Sequence, residues 1–168
     1  LGFPVLYELR RHIRVPRRWS MNTRLVLLAT PVLLAGGTVF LLVLEWNNPG
    51  CPFVRKHYDG NMQVLHKEFT AKGVVWLAVN STETRSSDYL EPAQLARWMR
   101  DKGASPTATL MDADGKVGAA FGARVTPHMY IVNAQGLLVY AGGIDSIPSA
   151  RPADIEKATC LLYTSPSP

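Results

Sequence analysis

Cys51 sits where chemistry is easiest to read. It follows Asn47-Asn48-Pro49-Gly50, a run of turn formers, and precedes Pro52-Phe53-Val54-Arg55, where a helical pattern begins. A thiol at the start of a helix faces unpaired backbone N–H groups and the positive end of the helix dipole. Both favour thiolate over thiol and make the sulfur nucleophilic. Pro52 fits the first helical turn, where no N–H is needed. Arg55, one turn along, adds positive charge if its side chain folds back toward the sulfur. The competing reading is a small apolar core cysteine, which suits the middle of a strand or helix better than a polar turn. A lone nucleophilic thiol attacks a disulfide or a peroxide. It then needs an outside thiol to release the mixed disulfide or to reduce the sulfenic acid.

Glu45 lies six residues before Cys51 in an otherwise apolar run. Burial there raises a carboxyl pKa and suits the group to pass a proton to or from the sulfur or the leaving thiol. Its alternative is a carboxylate at the strand's end that reaches water or pairs with Lys56. His57 and His66 are nine residues apart, and His12 and His128 stand elsewhere, so no ligand spacing is present and neither a metal nor a cofactor is predicted. Trp46, Tyr58 and Trp98 read as packing, and the Lys and Arg of the helices as solvated faces.

The elements that must position Cys51 follow from hydrophobic periodicity. Residues 39–46 form a continuous apolar run, the pattern of a strand buried on both faces. Val54, Tyr58, Met62, Leu65 and Phe69 then recur at helical spacing, interrupted at 59–61, which predicts a kink or a fresh start capped by Asn61. Strands are predicted over 74–79, 107–111, 129–132 and 137–141, with a polar loop over 80–91. A helix is expected over 92–102, from Pro92 to its stop at Gly103, a short one over 116–123, and another beginning near Ala153. The 112–115 stretch reads as a tight turn, and 133–136 as a hairpin loop. This order predicts an α/β sandwich with a mixed sheet ending in a hairpin.

Composition agrees with one such domain plus an appendage. The chain has 168 residues, 47% apolar content and two cysteines. That excludes a disordered chain, a disulfide scaffold and a polytopic membrane protein. The net charge of +5 sits in residues 1–24, which hold six arginines and Glu8; the rest of the chain is balanced. A nucleic-acid binder needs a basic face on the folded body, so no nucleic-acid partner is predicted. A basic arm ahead of an apolar run is the pattern of a signal peptide or anchor. Met21 reads as a start, 25–37 as the apolar core of a signal, and 25–44 as an uncharged run of bilayer-spanning length that would associate with a membrane. The anchor and strand readings therefore compete for residues 38–44. Residues 159–168 match no helix or strand ending and read as a non-native tail, leaving Cys160 without a role. The predicted division is 1–37, signal or anchor; 38–158, the domain; 159–168, the tail.

Taken together, residues 38–150 resemble the thioredoxin superfamily, in particular its redoxin branch related to alkyl hydroperoxide reductase/thiol-specific antioxidant proteins. They also resemble the envelope thiol–disulfide oxidoreductases of bacteria. Four features carry the resemblance: Cys51-Pro52-Phe53-Val54 at the helix start, Glu45 upstream, Val125-Thr126-Pro127-His128 at the loop that holds the family's cis-proline, and the turns at 112–117 and 133–138. The resemblance implies a thioredoxin-like fold, a mixed central sheet flanked by helices. With a cis bond before Pro127, Thr126 would present its backbone beside Cys51 to an extended substrate. His128 would either face the site or pack as an ordinary histidine. Departures are equally specific. Val54 stands where thioredoxins carry a second cysteine, Arg55 where copper-delivery relatives carry theirs, and Leu44 and Asn48 where peroxiredoxins carry Pro and Thr or Ser. The resemblance therefore implies a thiol oxidoreductase with one working cysteine, exported or anchored in a bacterial envelope. Its partners would be a disulfide or peroxide and an external thiol or thioredoxin-like reductant. The alternative is a redox-inactive thioredoxin-like module that binds proteins.

Overall fold

The computed structural model describes residues 7–8 and 41–160. Most of the basic arm, the signal core and the tail after Cys160 lie outside the described residues. The elements run β1 (Tyr7–Glu8), β2 (Leu42–Trp46), α1 (Pro52–His57), α2 (Asn61–Ala71), β3 (Val75–Asn80), α3 (Pro92–Asp101), β4 (Ala108–Met111), α4 (Lys116–Phe121), β5 (His128–Val132) and β6 (Leu138–Gly142). A 3-10 turn at Pro152–Asp154 replaces the helix expected near Ala153.

The six strands form one sheet in the order β1-β4-β3-β2-β5-β6. Pairings among β1 to β4 are parallel, whereas β5 pairs antiparallel with β2 and with β6, the expected mixed sheet with a terminal hairpin. β1 falls inside the arm, where the sequence predicts no strand. The competition over residues 38–44 is settled for its last part. Leu42, Val43 and Leu44 pair with β3 on one side and β5 on the other, so a membrane span reaching residue 44 is ruled out. Among the described residues no helix is long and apolar enough to cross a membrane.

Strand alternation sorts the core into two layers. Leu42, Leu44 and Trp46 turn to the α4 face, with Val79, Phe121, Tyr130 and Val132. Val43 packs on the other face with Val54, Tyr58, Met62, Leu65, Trp76 and Leu95, from α1, α2, β3 and α3. Glu45 is in step with Val43, which places its carboxylate under α1 and α2 rather than in solvent. The interruption at 59–61 is a true break: α1 ends at His57 and α2 begins at Asn61. Gly60, not Asn61, is the N-cap of α2, and its N–H is answered by Gln63 Oε1 at 3.1 Å. The Asn61 side chain is spent on His57 Nδ1 instead, at 2.8 Å.

Candidate functional site

A chain leaving the central strand must turn sharply to enter α1, and its own polar groups build that turn. Asn48 Oδ1 accepts from the Gly50 N–H at 2.7 Å, and Asn48 O accepts from the Cys51 N–H at 2.9 Å. Cys51 becomes the N-cap of α1, with Pro52 in the first turn. Its sulfur makes no capping bond. The thiol instead donates to Thr126 O at 3.1 Å, across the cis Thr126–Pro127 bond. The expectation that helix N–H groups face the sulfur is thus corrected: the partner that reaches it is a carbonyl. Arg55 does fold back, but onto Pro49 O at 2.7 Å, so its Nε secures the turn. Thr126 and Pro127 are brought beside Cys51 as the resemblance implies. Phe53 and Val125, 40% and 60% exposed, give this edge two apolar side chains.

His128 does not join them. It shares the face of Tyr130, whose hydroxyl lies 3.2 Å from Nδ1, and burial lowers its pKa. The packing alternative is the one realised.

Glu45 is fully buried and is the hub of a polar network. Oε1 accepts from the Tyr58 hydroxyl at 2.7 Å, and Oε2 accepts from Trp76 Nε1 at 2.9 Å and from His66 Nε2 at 3.2 Å. The Ser105 N–H donates to His66 Nδ1 at 3.2 Å, which assigns the imidazole proton to Nε2, the side that serves Glu45. Asn47 Nδ2 extends the network to the Tyr58 oxygen at 3.1 Å. Burial alone would raise this carboxyl, but its interaction with His66, then the bonds from Tyr58 and Trp76, outweigh it and leave the pKa below its ordinary value. The sequence predicts a raised, proton-passing acid. What stands there is a carboxylate stabilised by three donors.

Lys56 is not the partner of Glu45 and not on a solvated face. Its ammonium is buried against Asp145 Oδ2 at 2.6 Å, and His57 Nε2 reaches the same oxygen at 3.0 Å. Burial lowers the His57 pKa, opposed by Asp145 and reinforced by Lys56. The segment after β6 is thereby bolted to α1. Among the described residues no three His, Cys, Asp or Glu gather as a metal site.

Sequence reasoning missed His66, Trp76 and Asn47 as partners of Glu45. A usable clue existed for one of them: His66 follows Met62 by four residues and so shares the inward face of α2. Asp145 carries no such clue, because no periodicity links a loop after the last strand to the first helix.

Comparison with solved structures places this fold. The chain is similar to an uncharacterized conserved protein from Geobacillus kaustophilus, with a TM-score of 0.59 and 24% identity over 69% of this chain and 63% of that one. It is also similar to a thioredoxin-like protein from Aeropyrum pernix, with a TM-score of 0.51 and 16% identity over 70% and 74%. A third likeness is to a secreted Mycobacterium tuberculosis disulfide oxidoreductase homologous to E. coli DsbE, with a TM-score of 0.50 and 17% identity over 66% and 74%. The chain spans less than two thirds of the Geobacillus protein, and at these identities the likeness establishes the fold, which is thioredoxin-like. No curated protein matches the sequence. Residues 33–141 match the profile of the AhpC/TSA family, and the chain belongs to that family.

Proposed function

We propose that the chain is a thiol oxidoreductase in which Cys51 is the nucleophile and works without a partner cysteine in its own helix. The observation that carries this reading is the placement of the Cys51 sulfur. It is held 3.1 Å from Thr126 O at the strand-to-helix turn, while position 54 carries a fully buried valine. The thiolate attacks one sulfur of a disulfide, the Cys51–S bond forms as the old S–S bond breaks, and the departing sulfur takes up a proton. An external thiol then attacks the mixed disulfide and restores Cys51.

Disulfide exchange is favoured over peroxide reduction, because Leu44 and Asn48 stand where the peroxiredoxin motif carries Pro and Thr or Ser. Pro52, Arg55, Thr126 and Pro127 shape the site, and Glu45 holds Tyr58 and hence the helix that carries Cys51. The basic arm and apolar run after Met21 support export to the bacterial envelope.

The exposed Phe53 and Val125 favour a second reading, in which this edge only binds proteins. One experiment separates the two. The full chain is incubated with hydroxyethyl disulfide, and the adduct is located by peptide mass mapping. A mixed disulfide at Cys51, formed at least tenfold faster than on a denatured control and absent in Cys51→Ser, is expected. A rate no higher than the denatured control overturns the oxidoreductase reading and leaves the binding module.

A further inference from the structure

The loop between β3 and α3 brings a carboxylate onto the turn that ends in Cys51. A Cβ built on Gly50 would lie 2.2 Å from Asp88 Cγ and 2.4 and 2.6 Å from its two carboxylate oxygens. The Asp88 carboxylate thus stands against Gly50, in the space that a side chain there would share. The loop is shaped to deliver it: the Ser86 N–H donates to Glu83 O at 2.9 Å, and the Tyr89 N–H to Ser86 O at 3.1 Å. The Asp88 N–H in turn donates to Ser86 Oγ at 3.2 Å. The carboxylate forms no ion pair among the described residues, unlike Glu83 in the same loop, which pairs with Arg85. Arg55 donates to Pro49 O and forms no ion pair with Asp88, so its positive charge stands at the same turn with opposite sign.

We infer that Asp88 is a specificity residue of the Cys51 site, biasing it toward uncharged or cationic disulfides and thiols and against anionic ones. This rests on Cys51 being the reacting group. Consecutive Cα atoms are about 3.8 Å apart, so a carboxylate packed on Gly50 lies roughly 7 Å from the groups that approach Cys51. At that range a solvent-exposed unit charge changes the rate of an anionic reagent by about threefold at low ionic strength, and salt reduces the effect. Anionic thiol compounds meet this penalty in both half-reactions, as the incoming disulfide and as the external reductant.

Alkylation rates of Cys51 by iodoacetate, an anion, and iodoacetamide, its neutral analogue, test the inference. Both reagents consume the same thiolate, so their ratio reads the local field and is independent of how much thiolate is present. Peptide mapping separates Cys51 from Cys160. The iodoacetate-to-iodoacetamide ratio is expected to rise about threefold in Asp88→Asn and roughly tenfold in Asp88→Lys, with both gains shrinking in 0.5 M salt. A ratio unchanged in both variants overturns the inference. Disulfide exchange by the wild-type chain is scored separately with hydroxyethyl disulfide, so a failed oxidoreductase reading is distinguishable from a failed role for Asp88.

Discussion

Glu45 is the residue whose replacement most sharply tests the account of the core. In Glu45→Leu the Tyr58 hydroxyl, His66 Nε2 and Trp76 Nε1 lose their acceptor in a fully buried site. Asn47 Oδ1 is buried without a partner and, after an amide flip, can take the Tyr58 proton. Asn47 Nδ2 then takes the unpartnered place of Oδ1, so the net increase is two orphaned groups, His66 Nε2 and Trp76 Nε1. At about 1–3 kcal/mol each, the loss is roughly 2–6 kcal/mol, against a total stability of about 5–15 kcal/mol for a domain of this size. Glu45→Gln keeps one oxygen for the two N–H donors but exchanges charge-assisted bonds for neutral ones, a loss of about 1–2 kcal/mol. Its effect also has a pH signature. Folding holds the Glu45 carboxyl below its ordinary value of 4.5, so the unfolded chain binds the proton more readily. The stabilisation is therefore complete above about pH 4.5 and is lost as pH falls through the folded value. Urea unfolding of the wild type and both variants between pH 3 and 8 measures all of this. The expected order at pH 7 is wild type, Gln, Leu, and the acid-dependent loss should be smaller in the Gln variant. A Leu variant as stable as the wild type would refute the argument. It would mean that burying the charge costs as much as its bonds return.

Two further perturbations follow from the polar contacts. The His57 imidazole is held below its ordinary value by burial, so the unfolded chain takes its proton first and stability declines as pH drops below about 6.5. His57→Gln should flatten that first decline while leaving the later one below pH 4.5, as read by the urea midpoint against pH; an unaltered profile would show that the charge change at Asp145 carries no weight. Asp112 accepts from the Val117 N–H at 3.0 Å, from the Gly118 N–H at 2.8 Å and from Ser81 Oγ at 2.7 Å. Asp112→Ala removes the N-terminal anchor of α4 and should cost about 2 kcal/mol in urea unfolding, with Asp112→Asn losing less than half of that.

Much of this was legible because two periodicities do most of the placing. The apolar run before Cys51 read as a buried strand in competition with an anchor, and the spacing of Val54, Tyr58, Met62, Leu65 and Phe69 showed which side of the helices meets it. Alternation along β2 already put Glu45 on the helix face, since Val43 on the same side is core. What alternation does not convey is the number of donors waiting there. Trp76 and His66 come from a strand and a helix far apart in sequence, and three donors reverse the direction in which burial alone would move the carboxyl. Lys56 was misread for a related reason. Helical spacing marks it only as a neighbour of the apolar face, and the Asp145 carboxylate that makes its burial tolerable lies beyond the last strand. Asp88 was hidden by loop composition: a polar run over 80–91 reads as solvated whether or not one of its carboxylates returns to the site.

These misses share a cause that bears on how the site works. Near Cys51 the buried Glu45 carboxylate is satisfied by three donors and the buried Lys56 is paired with Asp145, and both arrangements serve to hold α1 against the sheet. At the rim a molecule approaching the sulfur meets two charges of opposite sign, Arg55 hydrogen-bonded to Pro49 O and Asp88 beside Gly50, unpaired among the described residues. Rigidity and selectivity are thus supplied by different layers. The core fixes where the thiol points, and a surface loop, replaceable without disturbing that core, sets which charge it will meet.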